Sequence, residues 1–278
     1  MSYVPIDLDN AIRKECKRRR YSDKTADTYL FCIHGFLKHS RRTLDKISKK
    51  DVREYLEHLS EKGLSGNSMN TYHMAIRFLF EEVLNKRIWI DIHYSKVPQR
   101  IQKFLTKEEV RKLIANIGNW KHKLMVELMY SSGLRVSEMI NLKVKDLVLD
   151  KGYGFVRNGK GGKDRLIVLA KIAIEKIRNL IGIESLGTED YLFKTNRNKK
   201  YNQRTLQLII KKAAKAACLD FKQIHPHTLR HSFATHLIEN NYSVSDVQAM
   251  LGHKSPETSM IYVHSSGKMI NVKSPLDG

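Results

Sequence analysis

Apolar residues recur at intervals of three and four through almost the whole chain, and strand-like alternation is confined to a few short runs. Between Leu8 and about Arg87 the repeats are Tyr29, Ile33, Phe36 and Leu37, then Val52, Tyr55, Leu56 and Leu59, then Met74, Phe78, Leu79 and Val83. That spacing lines one face of an α-helix. Ser22 and Ser48 stand at N-cap positions, Gly63 follows a helix where a left-handed stop is wanted, and a fourth helix is expected from about Ser68. These signals predict four short helices packed as a bundle. The period breaks over D-I-H-Y-S-K-V-P-Q-R-I-Q-K, residues 91–103, a basic segment with a proline. The expected organisation is an N-terminal helical domain over 1–94, a linker over 95–103 and a second domain over 104–278. Thr106 with Glu109 three residues on is a capping box that opens the second domain with a helix.

The second domain is also mainly helical. A helix is predicted from Trp120 to Tyr130 and ends at Ser131-Ser132-Gly133, and the short helix L-R-V-S-E-M-I-N-L follows at once (residues 134–142). Y-G-F-V-R (153–157) and D-R-L-I-V-L (164–169) flank N-G-K-G-G-K (158–163), which predicts a β-hairpin with Lys160 and Lys163 at a glycine-rich tip and Arg157 and Arg165 at its base. Beyond it come a helix over about Ala170–Leu180, a short strand at Y-L-F (191–193), a basic helix carrying Leu206, Ile209 and Ile210, a helix running through Phe233, Ala234, Leu237 and Ile238, and a last one ending at Gly252. The fold class is mainly α with a small β component, α+β.

Charge narrows the function. Fifty Lys and Arg against 29 Asp and Glu give a formal net charge of +21, an excess that points to a polyanionic partner. The cations cluster. Residues 11–20 hold six of them and one acid, and residues 194–215 hold eight and no acid. A solvated face accounts for the first run as well as phosphate contact does, whereas the second, one-signed run reads as a nucleic-acid face. No run of eighteen apolar residues and no leader-like N-terminus is present, so no membrane partner and a cytoplasmic location are expected. Cys16, Cys32 and Cys218 are too few and scattered for a disulfide framework or a zinc site.

The densest chemistry lies in H-P-H-T-L-R-H-S-F-A-T-H-L-I-E-N-N-Y-S-V-S-D-V-Q-A-M-L-G-H-K-S-P-E-T-S-M-I-Y-V-H, residues 225–264. His227 and Arg230 are three apart, which puts them on one helical face where both can address one small anion. His253 directly follows Gly252, and Tyr262 comes nine residues later. Upstream, Arg135 starts a short helix after a tight turn, where backbone N–H groups are also available to an anion, and Glu138 is placed to orient it. Taken alone, Arg135 and Glu138 read as a surface pair and the hairpin lysines as solvated, with an anion site and a lysine reaching a bound backbone as the sharper readings. His225, His227, His231 and His236 invite a metal, but there is no H-E-x-x-H, no cysteine partner and no completing acid. Neither G-x-S-x-G nor a phosphate loop occurs. What remains is two guanidiniums, a lysine, two imidazoles and a phenol. Arginine forks match the nonbridging oxygens of a phosphodiester, a tyrosine serves as nucleophile in a positive field, and a lysine can protonate a leaving oxygen.

The order R-V-S-E, a G-K-G hairpin, H-T-L-R-H, L-G-H and I-Y-V-H resembles the tyrosine recombinases of the phage integrase family, and among them the Xer-like site-specific recombinases. The resemblance implies a SAM-like core-binding domain followed by a catalytic domain that together clamp duplex DNA. It implies that Arg135 and Arg230 clamp the scissile phosphate and that Tyr262 attacks it, leaving a 3′-phosphotyrosyl link and a free 5′-hydroxyl. Lys160 would be the general acid, His227 the base or proton shuttle, His253 a hydrogen-bond donor to the phosphate and Glu138 a support for Arg135. No cofactor, metal or ATP is implied. The implied partners are double-stranded DNA with a specific recombination site and further copies of the chain, as a tetramer on two paired sites joined by an exchanged C-terminal segment. The chain departs from the family there, since only S-S-G-K-M-I-N-V-K-S-P-L-D-G follows I-Y-V-H. A type IB topoisomerase-like relaxing activity and a catalytically silent DNA-binding accessory protein are the other readings of the same residues.

Overall fold

The computed structural model describes residues 7–86, 93–96, 103–157, 164–252 and 274–277. Contacts divide the chain into two compact units, Met1–Arg100 and Ile101–Gly278.

The first unit is a bundle of α1 (Leu8–Arg18), α2 (Asp23–Ser40), α3 (Lys49–Glu61) and α4 (Gly66–Phe78), with a π-helical turn over Leu79–Val83 continuing α4. Side chains cap each start. The Asp7 carboxylate accepts the Asn10 N–H, Ser22 Oγ accepts from Thr25, and Ser48 and Asp51 form a capping box. Gly63 has φ +72°, the left-handed stop expected after α3. The fourth helix begins two residues before Ser68, because Ser65 rather than Ser68 is its N-cap. Ile12, Ile33, Phe36, Val52, Ile76 and Phe80 are fully buried between the helices. The basic run on α1 is partly neutralised within the unit. Arg13 pairs with Asp27, Arg18 with Glu15, and Arg19 with Glu15 and Glu82. The segment 93–96 lies against α4, where the Asn70 amide accepts the Ser95 N–H at 2.7 Å and donates to the Ser95 carbonyl at 3.1 Å.

The second unit is built around α6 (Trp120–Ser131), buried from Leu124 to Ser131. It is surrounded by α5 (Lys107–Ala115), α7 (Val136–Asn141), α8 (Lys171–Ile183), α9 (Gln203–Ala216) and α10 (Pro226–Glu239), while α11 (Val244–Met250) packs on α10. The Thr106–Glu109 capping box opens α5, and the preceding Leu105 N–H donates to Ser232 Oγ on α10 at 2.8 Å. The end of α6 meets α10 at Gly133, whose φ is +58° and where a Cβ would lie 2.6 Å from the Phe233 ring. Only glycine satisfies both conditions.

The hairpin strands are β2 (Tyr153–Val156) and β3 (Arg165–Val168), antiparallel with Val156 opposite Arg165. A two-residue strand, β1 (Leu147–Val148), pairs on the far side of β2 and makes the sheet three-stranded. The strand expected at Y-L-F is reduced to one bridge, Lys143 to Tyr191. Leu192 and Phe193 are both buried, so the segment lacks the alternation of a half-exposed strand and turns into the core instead. The C-terminal residues return to this unit. Ser274 Oγ donates to the Ser131 carbonyl, Leu276 packs on the core, and the Asp277 carboxylate accepts the Lys171 N–H at the start of α8. No described helix is long and apolar enough to cross a membrane.

Candidate active site

The site grows out of the turn between α6 and α7. Gly133 reverses the chain, Arg135 takes the extended N-cap conformation of α7, and Glu138 falls at the third helical position. Glu138 Oε2 accepts the Arg135 backbone N–H at 2.8 Å, and Oε1 accepts Arg135 Nη1 at 2.6 Å. Of the backbone N–H groups expected at this helix start, that of Arg135 is committed to Glu138, so Arg135 itself can hold an anion only through its guanidinium. The pair is not a surface one. The Glu138 side chain is 5% exposed and that of Arg135 is 17% exposed.

Arg230 reaches the same carboxylate from the first turns of α10, with Nη1 at 3.8 Å from Glu138 Oε2. Its Nη1 donates to the Gly133 carbonyl at 2.6 Å and its Nη2 to the Leu251 carbonyl just past α11. A third guanidinium, Arg165 from the start of β3, donates Nη2 to Glu138 Oε2 at 2.6 Å. Thus two arginines expected in the site, far apart in sequence, converge on one buried carboxylate together with a third that was expected only at the hairpin base.

The electrostatics follow from this crowding. Burial opposes the ionised form of Glu138, but Arg165 and Arg135 outweigh it and hold the carboxyl below its usual value. Burial, then the neighbouring Arg165 and Arg135 charges, lower Arg230 to about 9, with Glu138 opposing. Arg165 is lowered too, chiefly by burial. At that value Arg230 remains a cation at neutral pH. Two guanidiniums supported by a shared carboxylate and by backbone carbonyls present planar donors of the kind that can hold the nonbridging oxygens of a phosphate.

His227 stands exposed one turn before the buried Arg230, with its ring centroid 6.0 Å from that of His225. His236, further along α10, is buried, and its Nδ1 lies 2.8 Å from the Tyr130 hydroxyl. Lys160, His253 and Tyr262 lie outside the described residues. The chain leads toward the latter two through Gly252, in the left-handed conformation at φ +68°. The sequence assigns Arg165 no place in the site. Its one signal is a charged residue at a strand position opposite the buried Val156.

Away from this cluster, Arg204, Lys211, Lys212 and Lys215 of α9 are all exposed, as a one-signed face for a polyanion requires. Arg157 at the hairpin base is tied to Asp146 at 3.0 Å.

Known proteins match the chain over most of its length. A family model described as the phage integrase family matches residues 103–269, and one for the phage integrase N-terminal SAM-like domain matches residues 8–90. The tyrosine recombinase XerA of Pyrococcus furiosus is 36% identical over 255 residues, covering 89% of this chain and 85% of that protein. The tyrosine recombinase XerD of Halalkalibacterium halodurans is 30% identical over 285 residues, covering 95% and 94%. Among solved structures, a XerA recombinase superposes with a TM-score of 0.52 at 28% identity over 95% of both chains. A lambda integrase dimer bound to a core site superposes with a TM-score of 0.70 at 22% identity, over 94% of this chain and 95% of that one.

Proposed function

The chain belongs to the phage integrase family, as a tyrosine recombinase that cuts and rejoins DNA at specific sites, and we propose that Arg135, Lys160, His227, Arg230, His253 and Tyr262 carry its chemistry. The observation that supports this most is the convergence of Arg135 and Arg230 on Glu138. Both guanidiniums are in place before DNA arrives, so their alignment costs no reorganisation when charge develops on the phosphate.

The phosphate binds across Arg135 and Arg230, with His253 donating a further hydrogen bond. Tyr262 Oη attacks phosphorus and gives up its proton to His227. As the bond to the 5′ oxygen breaks, Lys160 delivers a proton to that oxygen, leaving a 3′-phosphotyrosyl ester and a 5′-hydroxyl. Attack by the 5′-hydroxyl of another strand reverses these transfers and releases Tyr262. The ester conserves the bond energy, so no ATP enters.

The DNA partner is a duplex with a specific site, bound in the cytoplasm, with the one-signed face of α9 among the surfaces that hold its backbone. The solved lambda integrases include a dimer on a core site and a tetramer on a Holliday junction, and a homotetramer on two paired sites is the working form proposed for this chain. A nicked suicide duplex tests the nucleophile. Tyr262→Phe binds the duplex like wild type and yields no covalent adduct; an adduct that persists in the variant assigns the nucleophile elsewhere.

A further inference from the structure

We propose that Arg165 is a positioning residue for strand cleavage, locking the phosphate clamp to the chain segment that leads into His253; this rests on the reading of Arg135 and Arg230 as that clamp. Its guanidinium reaches three groups on two segments. Nη2 donates to Glu138 Oε2 at 2.6 Å and lies 3.5 Å from the Gly133 carbonyl, while Nη1 donates to the Met250 carbonyl at the end of α11, at 2.8 Å. Arg230 spans the same ground in parallel, from the Gly133 carbonyl to the Leu251 carbonyl. Two forks therefore tie the α6–α7 turn to the end of α11, and only one of them, Arg230, is assigned to the phosphate.

The division of labour follows from the partners of each fork. The Arg165 and Arg230 side chains are equally buried, 4% and 6% exposed, but of the two only Arg165, reaching in from the root of the hairpin, hydrogen-bonds the Glu138 carboxylate. Because it occupies Glu138 and the α11 carbonyl, Arg230 is held by neighbours already fixed. Its stem also shapes the path beyond α11: a Cβ on Gly252 would lie 2.8 Å from Arg165 Cδ. The chain passes over the arginine's methylenes in a conformation glycine adopts freely, and the next residue is His253. Among the described residues Arg165 Nε has no hydrogen-bond partner, and the bonds of the fork run through its two terminal nitrogens. A lysine supplies one point charge and cannot bridge the carboxylate and the carbonyl as the planar fork does.

The test uses full-length Arg165→Lys and Arg165→Met with three measurements: the melting transition, the dissociation constant for the duplex site, and the single-turnover rate of adduct formation at saturating protein. Expected in both variants is a saturating rate lowered about 10- to 100-fold, since misplacing a clamp by about an ångström costs that much. The dissociation constant changes less than about threefold, because most duplex affinity comes from backbone charges elsewhere. Wild-type-like rates overturn the proposal. So does full rescue by lysine, which would mean that charge without the fork suffices, and so does a loss of binding in step with the rate. Loss of the melting transition in both variants would make Arg165 a residue of the fold alone. An adduct in wild type but not in Tyr262→Phe shows that the underlying reading holds while Arg165 is judged separately.

Discussion

Replacing Glu138 by Gln removes one charge and no volume from the most crowded point of the second unit. The carboxylate accepts two side-chain hydrogen bonds from guanidiniums, both at 2.6 Å, and one from the Arg135 backbone at 2.8 Å. An amide keeps one acceptor oxygen, so one guanidinium comes to face an NH₂ donor. Net bonds to charged groups contribute about 1.5–3 kcal/mol each, and breaking a buried ionic network costs about 3–5 kcal/mol, so a loss of about 3 kcal/mol is expected. In a unit of this size each kcal/mol moves the midpoint about 2–4 °C, which gives a fall of about 6–12 °C by calorimetry at neutral pH. The sign with pH is also fixed. A carboxyl held below its unfolded value contributes stability that is fully present above about pH 4.3 and is lost as pH falls through the lower folded value. The gap between wild type and Glu138→Gln should therefore close on acidification through that range. A gap below about 1 kcal/mol at neutral pH, or one that stays constant into acid, would refute the reasoning.

Two further outcomes are expected. Lys160→Ala should slow cleavage of an ordinary phosphodiester by about 10²- to 10⁴-fold, and much less when the leaving group is a 5′-phosphorothiolate; equal slowing of both would remove it as the general acid. Asp277→Ala removes the carboxylate that accepts the first N–H of α8, whose own N-cap residue is Ala170. A loss of about 0.5–1 kcal/mol and faster amide exchange in the peptide containing Lys171 should follow, and unchanged exchange would show that the C-terminal residues do not hold that helix.

Local signals make most of the helices legible in the sequence. Ser22, Ser48 and Thr106 cap where their spacing places them, and Gly63 ends α3 in the conformation that favours glycine. The hairpin is readable because alternation and turn chemistry coincide there. Features set by distant partners are not. The two residues of β1 have no period to detect, and Y-L-F has strand-forming residues but too few backbone partners for a strand. In the site, the residue types and order point to Arg135 and Arg230, while the burial of Glu138 and the inward turn of Arg165 depend on packing between elements roughly 30 to 100 residues apart, which no local pattern encodes. Within residues 11–20, Glu15 stands three and four residues before Arg18 and Arg19, a helical pairing the sequence does carry, whereas the partners on other elements, Asp27 for Arg13 and Glu82 for Arg19, leave no local signal.

Three guanidiniums share one carboxylate in the described site, and such a group is overcharged until something joins it. Any oxyanion that enters binds the folded unit and has nothing comparable to bind in the unfolded chain, so occupancy and folding are thermodynamically linked. A ligand at about a hundred times its dissociation constant adds about 2.7 kcal/mol of stability, close to what the shared carboxylate itself contributes. A steadier free protein, made by adding a second acid to the cluster, would on this account hold its substrate less well. On the proposed reading of the site, the phosphate about to be cut supplies the counter-charge that the fold leaves out.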